Sequence, residues 1–179
     1  MHEASLGYSI QDYISGRDIE ATTYEDLRQA IARMLVEQKG YPKERIASKV
    51  PISFSIDGQD FSRSVDLLVY DSEDRPLMAV FFCAGEVETY IRECVAAARL
   101  ISEGPAKLVV ATDTKQALLL RVKDGERLDL RDYQALPEWH ALLELGGQLG
   151  AYELTEAKRR VEERLLYAFS ELSCGCGPE

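Results

Sequence analysis

The residue best placed to do chemistry in this chain is Asp66, the only charge between Val65 and Tyr70 in FSRSVDLLVYDSEDRPLMAVFFCAGE, the segment from Phe61 to Glu86. An ionised carboxylate in a half-buried strand is costly unless a metal ion or a cationic side chain pairs with it. Strand alternation puts Asp66 on one face with Leu68 and Tyr70 and predicts Val65, Leu67 and Val69 on the other. The turn from Asp71 to Pro76 reverses the chain, so the strand Leu77 to Cys83 runs back beside the first, with Phe81 and Cys83 on a shared face. Other acids that could join Asp66 are Glu25, on a predicted helix, and Glu86 and Glu88, just past the second strand. Glu25 with Asp66 could hold a hydrated cation; the competing reading makes Glu25 a surface or capping acid. The cations that would have to reach in are Lys107 and Arg92.

The four cysteines are the second candidate set. Cys174 and Cys176 form a Cys-x-Cys pair near the C-terminal end, and Cys83 and Cys94 stand alone on the second strand and the helix after it. This lacks the paired Cys-x-x-Cys spacing of familiar zinc modules, and Cys83 and Cys94 read more simply as small buried apolar residues. His2 and His140 are too few and too separated for a histidine site. The chain has no Gly-Lys-Ser/Thr phosphate loop, no Gly-x-Gly-x-x-Gly turn and no Gly-x-Ser-x-Gly elbow, so neither a nucleotide-driven motor nor a serine hydrolase is expected.

Each candidate sits on an element with its own signal. Leu27, Ile31, Met34 and Leu35 make the stripe of a first helix from Tyr24 to about Gln38, with Thr23 as its cap and Gly40 as its stop. Val50, Ile52, Phe54 and Ile56 alternate as a strand, and Asp57-Gly58 turns it into the Phe61 strand. Val87 to Ser102 reads as a helix ended by Gly104-Pro105, followed by strands at 108–111 and 118–122. A helical connection makes the first of these parallel to its neighbour. Glu138 to Leu145 is a short predicted helix, and Gly146-Gly147 with Gly150 should break the chain. Leu154, Ala157, Val161, Leu165, Ala168 and Leu172 then predict an amphipathic helix over 151–173, packed on its own domain or on a second copy as a homodimer. The fold class is α/β (α+β): an αβββαβ core with a mixed central sheet flanked by helices, plus a C-terminal helix.

The 179 residues suffice for one domain with a sizeable core. No stretch approaches the ~20 apolar residues of a membrane span, so the expected location is the cytoplasm, away from membranes. With 31 acidic and 21 basic residues, a net charge of −10, broad sequence-independent DNA binding is disfavoured. Candidate basic patches are Lys39, Lys43, Arg45 and Lys49, and Lys158, Arg159, Arg160 and Arg164, though both sets read more simply as solvated faces.

From Asp18 to Glu86 the chain resembles the N-terminal nuclease domain of type I restriction enzyme R subunits, a branch of the PD-(D/E)xK superfamily. The residues that carry the resemblance are Ala21 to Gln29, Glu37 to Ile46, Val65 to Asp71 and Ala96 to Leu100, with weaker similarity through Leu108–Thr112 to Leu136-Pro137. This implies a restriction-endonuclease-like core over 18–137 and, for an active member, a Mg²⁺-dependent deoxyribonuclease. In that family the second strand carries Glu-x-Lys, the Glu binding metal beside the strand-one Asp and the Lys acting on the attacking water. Here Phe81-Phe82-Cys83 stand at those positions. Phe has no lone pair for a hard cation, and a thiol is a soft ligand without positive charge. The resemblance therefore implies a degenerate site at Asp66, Phe81 and Cys83, with Glu25 and Glu86 as the remaining acids, Asp66 and Glu25 as the only metal ligands, and no cofactor expected. In that drier surrounding Asp66 must be protonated or paired with Arg or Lys. Three functions follow: a catalytically silent domain that binds a protein or a nucleic acid, a nuclease with a rearranged site, or a structural oligomerisation domain.

Overall fold

Asp57 and Gly58 take consecutive left-handed conformations, φ 50° and 81°, and fold the longest hairpin of the molecule. It joins β3 (Ile46–Ile56) to β4 (Gln59–Tyr70), in register from Ile56 opposite Gln59 to Ile46 opposite Val69. The computed structural model describes residues 4–113, 115–131 and 136–174, and the side chains of 129–131 and 170–174 lie outside it. A second turn brings β5 (Pro76–Phe82) antiparallel to β4; α2 (Val87–Arg99) then crosses the sheet and returns as β6 (Leu108–Thr112), parallel to β5. Strands β7 (Ala117–Arg121) and β8 (Arg127–Arg131) complete a six-stranded mixed sheet in the order β3-β4-β5-β6-β7-β8. With α1 (Glu25–Glu37) ahead of β3, the αβββαβ order expected from periodicity is present.

Two cores sandwich the sheet. On one face α1 packs Ile31, Met34 and Leu35 against Leu67, Val69, Val80 and Val110, joined by α3 (Trp139–Gln148) through Leu142. On the other, the alanine-rich inner face of α2 (Ala96, Ala97, Ala98) meets Val65, Leu68, Phe81 and Val109. There α4 (Glu156–Cys174) closes over the assembly through Leu166, fully buried, and through Tyr167, whose ring meets Phe61 edge-on at 4.9 Å. Each buried Leu, Val or Phe contributes about 1.5–3 kcal/mol, so these two layers carry most of the stability.

Several sequence expectations need correction. Val65 does not share a face with Leu67 and Val69: it lies with Leu68 in the α2 core. The exchange of faces falls at Lys49, the residue at the height of Asp66 on β3, which takes φ +51° and drops out of the ladder between Ser48–Leu67 and Val50–Val65 while the register is kept. Thr23 does not cap α1, whose N-cap is Tyr24 without a side-chain bond; Thr23 instead holds Ala4 through its amide. Gly146 and Gly147 do not break the chain but lie inside α3. A Cβ at Gly146 would come 2.4 Å from Leu77 Cδ1, so the bare backbone is what lets α3 settle on β5. The final helix starts at 156 rather than 151, after Thr155, whose hydroxyl and carbonyl accept from Lys158 and Arg159. Its inward face is also turned: Val161 is 62% exposed, whereas Glu162 and Leu166 are buried, because Glu162 is held by Arg99 of α2 at 2.5 Å.

Two further features lie outside the expected order: β8 at the edge of the sheet and a hairpin ahead of α1. β1 (Ser5–Gln11) and β2 (Asp18–Thr22) form a separate antiparallel hairpin, exposed along β1 except at half-buried Ile10, while β2 buries Ala21. Cys174 falls at the end of α4 with its side chain outside the described residues, and Cys176 lies wholly outside them.

Candidate functional site

The β4–β5 ladder ends at Leu67 and Val80, and Asp66 lies one step beyond, at the height of Phe81. At this step the strands part, and the Phe82 amide donates to Asp66 Oδ2 at 2.7 Å where a β4 carbonyl would otherwise receive it. The other oxygen, Oδ1, accepts from Arg28 Nε of α1 at 2.9 Å. Arg28 also donates through Nη1 to Glu25 Oε2, so one guanidinium spans both acids. Glu25, only 1% exposed, further receives Gln29 Nε2 at 2.8 Å and meets the Lys49 ammonium at 2.8 Å. The left-handed turn at Lys49 thus puts a second cation on the buried carboxylate.

The network continues outward. Gln29 donates to Asp12 Oδ1 at 2.9 Å, and Asp12 Oδ2 accepts from the Ser15 amide, the Ser15 hydroxyl and the Ser48 hydroxyl. Burial raises the Asp12 carboxyl, but the bonds from Ser15, Gln29 and Ser48 outweigh it and hold it at about 2. The chain of contacts therefore ties the β1–β2 hairpin, α1, β3, β4 and β5 together through buried polar atoms, each of them satisfied.

The two substituted positions point elsewhere. Phe81 and Cys83 are 3% and 2% exposed in the α2 core, across the sheet from the α1 residues that hold Asp66. Cys83 hydrogen-bonds Cys94 of α2; that contact, with burial, pushes the Cys94 thiol up, which makes it a poor nucleophile. Between them, Phe82 packs on Tyr24 at 5.0 Å, at the mouth of the Asp66 network. Glu86 is exposed at the start of α2, where its carbonyl receives Thr89, and Glu88 pairs with Arg127. Lys107 gives its ammonium to the Gly146 carbonyl at 2.7 Å, and Arg92 is exposed on α2. Of the predicted set, then, only Glu25 and Asp66 come together, and Arg28 lies between them. Among the described residues no three His, Cys, Asp or Glu side chains converge as a metal site.

Sequence reasoning missed the functional weight of Arg28, Gln29 and Asp12. The signal was faint but present: Glu25, Arg28 and Gln29 are three and four residues apart, which sets them on one face of a helix.

The family model described as type I restriction enzyme R protein N terminus (HSDR_N) matches residues 23–137. No curated protein matches the chain. Among solved structures, a cryo-EM structure of a DrdV–DNA complex is similar at 19% identity and a TM-score of 0.44, over 71% of this chain. This chain covers 12% of that one, and the likeness is too distant to bear on chemistry.

Proposed function

The chain belongs to the type I restriction enzyme R protein N-terminus family, and from that premise we propose that this nuclease-like domain has lost catalysis and acts by binding a protein or nucleic-acid partner. The observation that carries the reading is Arg28 seated between Glu25 and Asp66. A divalent cation needs those same oxygens, and it would have to displace a buried guanidinium before it could bind. The residues present do not fit the family's Mg²⁺. At the positions where the resemblance expects the second carboxylate and the lysine stand Phe81 and Cys83, which face the α2 core, and on the Asp66 side β5 offers only apolar Val80 and Phe82. Lys49 supplies positive charge, but it neutralises Glu25 and stands in no position to order a nucleophile against a metal.

What the site does well is hold its surroundings together. Its carboxylates are spent on fixing α1 against the sheet, which suits a scaffold that presents a surface. The net charge of −10 favours a protein partner, or a nucleic acid met at a local patch, over a broad phosphate footprint. No helix among the described residues is long and apolar enough to cross a membrane. We assign the chain to the cytoplasm, where the free thiols of Cys83 and Cys94 are stable.

The test is a cleavage assay on single- and double-stranded DNA with Mg²⁺ and with Mn²⁺, beside an Asp66→Ala control. No cleavage is expected from either protein. Cleavage by the native chain that vanishes in the control would refute the proposal and point to a rearranged site on Glu25, Asp66 and Glu86.

A further inference from the structure

At the opposite end of the sheet from Asp66, two clefts flank the ring of Tyr152, in the segment between α3 and α4. One, about 210 Å³, is lined by Lys107, Arg121 and Lys123, and the other, about 280 Å³, by Arg99, Lys123 and Lys158; Tyr152 borders both. Lys107 precedes β6 at the height of Leu77, and Asp66 lies at the height of Phe81, so the two regions are roughly 13 Å apart along the strands.

The charge here runs against that of the whole molecule. Five cations line the clefts against two acids, Asp124 and Glu162. Arg121 is neutralised by Asp124 and Glu126, and Arg99 by Glu162. Lys107 is spent on the Gly146 carbonyl at the end of α3. Lys123 and Lys158 remain, and neither meets a carboxylate among the described residues; Lys158 instead sits 5.8 Å from the Tyr152 ring. Their placement is built rather than incidental. Arg99 donates to the carbonyls of Val122 and Lys123 at 2.9 and 3.1 Å, which fixes the backbone that carries Lys123. The second observation is the Tyr152 hydroxyl, which is shut off from solvent and hydrogen-bonds no protein group among the described residues. A buried donor in this state gains a full hydrogen bond from any acceptor that a small shift of the ring brings within reach.

We propose that the clefts around Tyr152 bind a phosphate group, held by Lys123 and Lys158 and completed by the Tyr152 hydroxyl. Such a ligand supplies the negative charge that the two lysines lack and the acceptor oxygens that the hydroxyl lacks. The cleft volumes leave space for the moiety that carries the phosphate, so the ligand is a phosphorylated small molecule or a phosphodiester strand. The site does not depend on the fate of the Asp66 network.

Calorimetric titration of the full chain at low ionic strength tests this with three probes: inorganic phosphate, a deoxynucleoside 5′-monophosphate and a short oligothymidylate. Saturable binding is expected and should weaken with added salt. Lys123→Gln, at an unpaired surface position, and Tyr152→Phe, which removes only the hydroxyl, are each expected to weaken it about three- to tenfold. Lys115→Gln, an exposed lysine outside the clefts, is expected to leave it unchanged. Tighter binding of the oligothymidylate supports the site and assigns it to a strand; equal or tighter binding of the monophosphate supports it and assigns it to a small molecule. The proposal is overturned if no probe saturates, if Lys123→Gln and Tyr152→Phe bind like the native chain, or if Lys115→Gln loses as much as they do.

Discussion

Replacing Arg28 with Met keeps most of the side-chain volume and removes the one group that joins Glu25 to Asp66. Arg28 is 5% exposed, Glu25 1% and Asp66 16%, so the change takes the shared guanidinium from two largely desolvated carboxylates, leaving Lys49 and Gln29 on Glu25 and the Phe82 amide on Asp66. Breaking a buried pair by deleting one partner costs about 3–5 kcal/mol. For a domain of this size each kcal/mol moves the melting temperature by about 2–4 °C, so a fall of roughly 6–20 °C is expected. Calorimetry or circular dichroism measures it directly. The sharper part concerns metal. If the guanidinium occupies the place of a cation, Mn²⁺ should restore part of the lost stability in Arg28→Met and do nothing for the native chain. At a concentration one hundred times its dissociation constant a ligand returns about 2.7 kcal/mol. A melting temperature within 2 °C of native, on the scale just given, would show that the pairing contributes little. Equal Mn²⁺ stabilisation of both proteins would show that the cation binds somewhere else. Either result refutes the reasoning.

The other expectations are narrower. Gly146→Ala should destabilise by roughly 1 kcal/mol, because contact with Leu77 outweighs the gain in helix propensity, while Gly147→Ala, with nothing near its Cβ, should stabilise by up to about 1 kcal/mol; urea titration of the pair separates them. Leu166→Ala should cost about 2–5 kcal/mol and expose the chain beyond Gly150 to protease, whereas the native chain resists; rapid removal of that segment from the native protein would contradict the docking of α4. Asp12, held low in the folded state, contributes stability that is complete above the ordinary carboxylate range near 4 and is lost as pH falls toward about 2. After allowance for solvent screening this amounts to roughly 1–2 kcal/mol, and Asp12→Asn should flatten that part of the acid denaturation curve.

Where local signals were strong, the sequence was easy to read. Asp57-Gly58 announces a hairpin because consecutive positive φ values favour those two residue types, and the stripe of α1 follows the helical period through Ile31 and Leu35. The cost of a lone carboxylate singled out Asp66 and left it to be protonated or paired with an Arg or Lys. Which one was not legible, since Arg28 comes from a helix 38 residues earlier and only the packing of α1 brings it there. The exchange of strand faces was equally hidden. It rests on a lysine in a left-handed conformation, which no propensity favours and which the ion pair to Glu25 helps to hold. In α3 the glycines read as breakers because their use is tertiary: Gly146 marks a close approach to Leu77 rather than an end. The β1–β2 hairpin escaped because β1 is exposed along almost its whole length and Ala21 alone is fully buried on β2, so no apolar alternation marks it.

The position of Phe81 and Cys83 in a sealed apolar layer limits which substitutions the chain can accept there. A Glu at 81 or a Lys at 83, introduced alone, would be a lone charge among Ala96, Val109 and Leu68, none of them accessible to water. Arg28 would meanwhile still hold both remaining acids, so neither change alone would assemble a metal site. A charge in that layer therefore lowers stability and, lying across the sheet from Asp66, adds nothing to the acids that Arg28 holds. The layer therefore acts as a filter on substitution: it admits exchanges among apolar side chains of similar volume and refuses charge, which leaves variation to the residues outside the two cores.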